Sequence, residues 1–460
     1  MHRNTNMLQP LYENGLLDMD GVNRDRIERL SFSKILDIYD EISSLVAGLP
    51  KKENIVGRVF CASNSLSGAP YECSERSCRI SRVDELSKFS SLFADNVLFH
   101  NFLADLSPSF GHAPSEDGEN FRYRVVSDIY SIYKLKDLMY AGIVQPYTAP
   151  NGYCLDCFSN KFLGKSSSGI VSRARARFKR DLESSMEVYI SYDHDGYYVV
   201  CEADEMIFPH GSICISLNSN DLGNLSDDFL IKAKESKIYL TNKQRRELGF
   251  GESISYNLVM EAVYQKSISR FVGGSILTHS SSEINALKSI EGDQSIKKTN
   301  DILSKHWNII IPYAEQLSAS ELLTLREREP EAFVTFRNAL DTSVGEAFSL
   351  KNSFTEQDAR ELYSGIIQPS LAKMEISTNS ARKDLIKKPF TVLAGVGAVL
   401  GVGAYSGLLS GDLATAAQAL GLGKVLYDGV TSTIEMSDVT KTIKQEDYYY
   451  LWKMNRMKGV

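Results

Sequence analysis

The sequence predicts an α+β fold: a mixed N-terminal part with a small β-sheet and flanking helices, followed by a mainly α-helical C-terminal part. Three patterns carry this reading. Stretches such as 119–140 repeat apolar residues at helical spacing; two β-branched and aromatic runs, 186–191 and 197–203, flank an Asp-Gly turn signal; and from about residue 225 helical patterns dominate. With 460 residues the chain is long enough for two or three domains, each burying its own core. The changes of pattern divide it into an N-terminal helical or mixed domain (1–150), a small-sheet α+β region (151–290) and a helical domain (291–460).

In chain order, residues 1–22 are polar and interrupted by Pro10, Gly15 and Gly21, a poor start for a helix. Ile27, Leu30, Ile35, Ile38, Ile42 and Leu45 then recur at about helical spacing up to Gly48 and Pro50. A strand-like run over 55–62 leads into a Ser/Gly/Pro loop, 84–93 fits a helix, and 96–102 fits a short apolar strand or a helix end. Val125, Ile129, Ile132, Leu135 and Leu138 mark one side of a long helix that Gly142 closes. The hairpin signal at Asp193 to Gly196 follows, with a third strand over 213–217. Leu258, Val259, Ala262, Val263 and Ile268 predict a helix over 253–272, ended by Gly273-Gly274. The run 307–311 is strand-like, Ser318 and Glu321 form a capping box, and Phe354 to Met374 reads as a helix kinked or broken at Pro369.

Composition sets limits on function. With 43% hydrophobic and 24% charged residues and a net charge of -7, the chain reads as globular, and any contact with nucleic acid or an anionic surface has to come from a local patch. The first 20 residues hold no apolar core behind basic residues, so no secretory signal is read there. Seven dispersed cysteines fit free thiols or a metal site in a reducing compartment, and a cytoplasmic location is expected.

The most unusual stretch is Pro389 to Gly411, apolar, uncharged and glycine-rich. It is long enough to cross a bilayer, and Lys373, Arg382, Lys383, Lys387 and Lys388 before it, against Lys424 after it, would hold the N-terminal part inside. Its glycines argue for packing instead. Gly397 and Gly401, and Gly403, Gly407 and Gly411, recur at i+4 and offer smooth strips to another helix. Three readings stand: a buried helical hairpin, a constitutive span, and a segment sheltered at rest that engages a membrane or partner helix on activation.

Lys161 to Arg180 is basic and free of acids. On a helix starting near Ser172, Arg173, Arg177 and Arg180 share one face and Arg175 and Lys179 a neighbouring one; with Lys165 they form a candidate anion or nucleic-acid site. Gly164-Lys165-Ser166 ends like a phosphate-binding loop, but Ser159 stands where that motif needs glycine. Cys73 with Cys78 and Cys154 with Cys157 are two thiol pairs that could ligate one zinc ion, the only cofactor considered; Cys61, Cys201 and Cys214 fit buried, unpaired roles. Asp193, His194, Asp195 and His210 fit a turn better than a metal site, and His279 lacks any nucleophile motif. Thr241 to Gly249 opens a short basic helix. Tyr448, Tyr449, Tyr450 and Trp452, followed by Lys453 and Arg456, suit either a membrane interface or docking on a core.

The stretch EQLSASELLTLREREPEAFVTFRNAL and the ending DYYYLWKM resemble uncharacterised bacterial proteins associated with defence against phage, over about the last third of the chain. The resemblance implies a defence role and assigns no catalytic residue. Together these features lead to the expectation of an intracellular, non-enzymatic effector or interaction protein, with a protein partner or self-association and conditional membrane association through 389–411. The alternative is a nucleic-acid-binding or nucleic-acid-processing protein acting through 161–180.

Overall fold

The structure, a computed structural model, describes residues 7–18, 21–50, 55, 57–69, 75–111, 117–148, 168–193, 196–203, 212–217, 225–278, 283, 286, 287, 290, 314, 316–349, 356–376 and 444–457. The fold is mixed α and β, and helices dominate outside two sheets. The chain divides into two compact units, Met1–Leu86 with Ala94–Ser295, and Ser87–Phe93 with Ile296–Val460.

The first unit opens with α1 (Gln9–Glu13), α2 (Arg24–Arg29) and α3 (Phe32–Leu45). The short α1 is not foreseen from the sequence; Pro10 sits in its first turn, where a missing N–H costs nothing. The single helix expected over 27–45 is two. Leu30 is extended, Ser31 caps the new helix by accepting from the Lys34 N–H, and the Arg122 guanidinium donates to the Ile27 and Leu30 carbonyls at 2.6 and 2.8 Å. Polar groups freed by the break are thereby satisfied.

A parallel sheet follows, formed by β1 (Val59–Ala62), β2 (Asn96–His100), β3 (Val144–Tyr147) and β8 (Ser275–Leu277) in the order β3-β2-β1-β8. Helix α4 (Arg76–Phe93) connects β1 to β2, and α5 (Glu119–Tyr140) connects β2 to β3. Each strand is short and almost wholly buried, as strands covered on both faces are. In register, Cys61 lies beside Leu98 on one side and Ile276 on the other.

Between β3 and β8 the chain builds α6 (Ser168–Ser185), then an antiparallel sheet of β4 (Glu187–Asp193), β5 (Gly196–Glu202), β6 (Ser212–Ser216) and β7 (Ile238–Tyr239), with α7 (Asp227–Glu235) and α8 (Asn242–Leu248) beside it. Asp193 pairs with Gly196, so the β4–β5 hairpin turns where the Asp-Gly signal placed it. Helix α9 (Phe250–Val272) joins the two sheets. Its Leu258, Val259, Ala262 and Val263 pack with Phe178 and Leu182 of α6 and with Val188 and Ile190 of β4. Its Ile268 and Val272 pack with Val59 and Cys61 of β1, Leu98 of β2 and Tyr147 of β3. Each Leu, Ile, Val or Phe among them contributes about 1.5–3 kcal/mol on full burial. Gly273, left-handed at φ 71°, ends the helix directly before β8.

In the second unit, α10 (Ala319–Arg328) starts at the Ser318/Glu321 capping box read from the sequence. It is followed by α11 (Pro330–Ser349), α12 (Glu356–Leu362) and α13 (Tyr449–Met457). Pro369 does not break the helical stretch. A π-helical turn at Tyr363–Ile367 precedes it and helix continues to residue 376, so the wider turn accommodates the proline's missing donor. The aromatic ending docks on a core: Tyr450 is fully buried, stacked on Phe336 at 5.5 Å and edge-on to Phe333. The strand-like run 307–311 lies outside the described residues.

Candidate functional site

The carboxyl ends of the four parallel strands bring polar residues together. β1 ends into Ser63, Asn64 and Ser65, β2 into His100 and Asn101, β3 into Tyr147 and Thr148, and β8 into Thr278. Strand order runs from β1 outward through β2 to β3, whereas β8 joins on the other side of β1. The β1/β8 boundary is therefore a topological switch point, and open α/β sheets bind ligands in the crevice outside strand carboxyl ends at such a point.

On the other side of β1 from β8, the ends of β1, β2 and β3 form with α9 a crevice of about 160 Å3 lined by Asn64, His100, Tyr147, Glu261, Tyr264, Gln265 and Ile268. Three strand ends and one face of α9 supply these side chains. Glu261 and Gln265, one helical turn apart, interrupt the apolar face of α9 with a joined polar pair: the Gln265 Nε2 donates to Glu261 Oε1 at 2.9 Å. The Asn64 backbone N–H also donates to the Glu261 carboxylate. Burial raises the Glu261 carboxyl above its ordinary range, against the opposing pull of Gln265 and His100. For His100, burial disfavours the imidazolium, but the Asp105 carboxylate, 3.3 Å from Nε2, outweighs this and raises the imidazole pKa.

An ionic network that runs from exposed Asp105 inward to buried Asp128 and Arg79 holds this edge in shape. Asp105 faces Arg124 at 3.6 Å, Arg124 faces Asp128 at 3.7 Å, and Asp128 is hydrogen-bonded to Arg79 and to the Tyr39 hydroxyl. The Arg79 Nε donates to the Gly68 carbonyl at 2.7 Å, and the Arg82 guanidinium to the Ser65 carbonyl at 3.2 Å. Two arginines of α4 thus fix the backbone of the loop after β1. Gly68 is left-handed at φ 85°, and a Cβ there would lie 2.3 Å from Val83 Cγ2, so this loop conformation requires glycine. Across the switch point, buried Glu283 accepts from the Ser65 hydroxyl at 2.9 Å and from the Thr278 hydroxyl, tying the loop after β1 to the residues after β8.

A larger cavity, about 330 Å3, lies in the second unit among Thr335, Asn338, Thr342, Ser343, Ser370 and Tyr448. The hydroxyls of Ser343, Tyr448, Thr342 and Ser370 are engaged: Ser343 pairs with Tyr448 at 2.7 Å, and Thr342 and Ser370 donate to carbonyls four residues back. The smaller crevice has the better claim to a ligand because buried acceptors there, Asn64 Oδ1 and Gln265 Oε1, lack a hydrogen-bond partner among the described residues.

None of the crevice residues stands out in the sequence as a site. The available signals are local: a histidine and an asparagine directly after the apolar VLF of β2, and Glu261 and Gln265 interrupting the stripe from Leu258 to Ile268. Of the residues that the sequence does single out, Arg173, Arg177 and Arg180 are exposed on α6, opposite buried Ala174, Phe178 and Leu182. Arg175 lies over the Tyr256 ring at 4.8 Å, and Lys179 faces Glu183 at 3.9 Å. Lys165 lies outside the described residues, as do Gly397, Gly401, Gly403, Gly407 and Gly411.

Cys78 is half-buried in α4, while Cys73, Cys154 and Cys157, with His194, Asp195, His210 and His279, lie outside the described residues. Among the described residues no group of three or more His, Cys, Asp or Glu side chains is placed to hold a metal ion. Cys61 and Cys201 are buried, and burial pushes both thiols up to about 12, too high for a thiolate at neutral pH. Cys214 departs from expectation: it is exposed, because it pairs with Val200 and so lies on the sheet face opposite the core-facing Val199 and Cys201. Among the described residues no helix is long and apolar enough to cross a membrane. The chain matches no protein-family model, no curated protein and no solved structure.

Proposed function

We propose that the chain is a ligand-responsive effector or interaction protein, in which the α/β unit takes a small molecule at the carboxyl edge of its parallel sheet. The helical unit, which carries the glycine-rich stretch, would act on a partner helix or a membrane. The observation that carries the reading is the crevice: a carboxylate, an imidazole and two side-chain amides converge where the carboxyl ends of β1, β2 and β3 meet α9. The glycine strips of 389–411 support the second half, and the resemblance of the last third supports a setting in defence against phage. Thermal unfolding of the full chain against a panel of small metabolites tests the first half. A ligand that raises the Tm of the native chain and leaves that of a folded Gln265→Leu variant unchanged supports it; a panel without effect, or shifts indifferent to Gln265, counts against it. Gly401→Leu and Gly403→Leu test the second half, with selective loss of partner or membrane association expected and mere unfolding counting against it.

The exposed row of Arg173, Arg177 and Arg180 favours a second reading, contact with nucleic acid. If these side chains bind phosphates, changing any one of them to Gln lowers the slope of log K against log salt by about 0.9 for duplex DNA. Binding with an unchanged slope in the triple variant excludes this helix as the interface.

A further inference from the structure

Two buried acceptors of the crevice stand without donors among the described residues. Gln265 is only 3% exposed, and because its Nε2 donates to Glu261, its Oε1 is fixed as the remaining acceptor of that amide. That Oε1 and the Asn64 Oδ1 are both buried, and neither has a hydrogen-bond partner among the described residues. Leaving such atoms unsatisfied is costly, so two of them beside one carboxylate mark a place for donors. The lining also includes Tyr147, Tyr264 and Ile268, which belong to an apolar cluster and bring aromatic and aliphatic surface to the same space.

We propose, building on the ligand-site reading above, that the crevice takes a neutral hydroxylated ring of the ribose class, whose vicinal hydroxyls donate to Gln265 Oε1, Asn64 Oδ1 and Glu261. Charge narrows the choice to this class. An anionic group would meet the Glu261 carboxyl, whose ionisation burial already opposes, and a cationic amine would meet the His100 imidazole, which Asp105 keeps protonated to higher pH than usual. A sugar ring avoids both. Its hydroxyl edge supplies paired donors, its C–H face suits the aromatic and aliphatic wall, and a volume of about 160 Å3 admits one ring rather than a fused pair. A base or other substituent on the sugar would extend out of the crevice.

Saturation-transfer NMR and titration calorimetry on the full chain test this with methyl β-D-ribofuranoside, uridine, 2′-deoxyuridine, spermidine and inorganic phosphate. The riboside and uridine are expected to bind, and 2′-deoxyuridine to bind at least about tenfold more weakly, because a site built to receive a hydroxyl rejects the analogue lacking it. Gln265→Leu should abolish uridine binding while the circular dichroism spectrum is retained. Asn64→Ala, in the loop after β1, provides a second variant should Gln265→Leu fail to fold. Equal binding of uridine and 2′-deoxyuridine, or uridine binding that survives both variants, overturns the proposal. Spermidine or phosphate binding that depends on Gln265, without riboside binding, overturns the sugar assignment and leaves the ligand site standing. No binding by any probe removes both.

Discussion

Glu261 shows at the scale of one residue how the crevice trades stability for chemistry. Burial raises its carboxyl pKa in the folded chain, so between the ordinary glutamate range and the raised value the native state holds a proton that the unfolded state has released. Stability contributed by this group therefore falls as pH rises through that window and is lowest above it. Glu261→Gln, which keeps the acceptor toward Gln265 but cannot ionise, is expected to be the more stable protein at neutral pH and to lose that advantage below the window. Thermal unfolding as a function of pH measures the crossing. The opposite outcome is expected at Arg79, fully buried against Asp128. Arg79→Met leaves a buried carboxylate with Arg124 at 3.7 Å as its cation, and a loss of about 3–5 kcal/mol in urea denaturation is expected. Neither residue is legible as special in the sequence. Glu261 looks like one more polar position of a long helix, and Arg79 like one of several arginines in a charged stretch, because burial in each case comes from elements distant along the chain.

At the scale of elements, local chemistry reads well and tertiary pairing does not. The helix over 119–140 with its glycine stop, the Asp-Gly hairpin and the Ser318/Glu321 capping box are all encoded within a few residues, and all are found. Ser318→Ala removes the side-chain acceptor for the Glu321 N–H and is expected to cost about 1 kcal/mol, read as a lowered denaturation midpoint; Ser318→Thr should recover most of it. The parallel sheet is harder to read. VFCA and NVLFH are short apolar runs that periodicity alone cannot tell from buried helix, and Ser275–Leu277 is shorter still. Their strand character follows from pairing with one another. The break at Leu30 is a similar case: the apolar spacing runs through it, and the arginine that receives the exposed carbonyls comes from α5.

The whole molecule is threaded so that α4 serves both units, its Ser87–Phe93 turns belonging with the helical second unit. Phe93 packs near Phe336 at 6.4 Å, and Arg326 donates to the Ser91 carbonyl at 3.4 Å. A fragment ending at residue 295 strips these partners from α4, and it is expected to aggregate or to show the raised hydrophobic-dye binding of an incompletely covered helix. Gel filtration decides, and a monomeric, cooperatively unfolding fragment would refute the expectation. The β1/β8 switch point carries one more consequence, which concerns time. Ser65 meets Thr278 across 213 positions of chain, so β1 has an unpaired edge, and its loop lacks Glu283, until most of the first unit has been synthesised. Pairings of such separation close slowly and leave strand edges open to wrong partners meanwhile. The crevice beside it is likewise late: its far wall, Glu261 to Ile268 of α9, is made long after Asn64, so during translation it is among the last features of its unit to be completed.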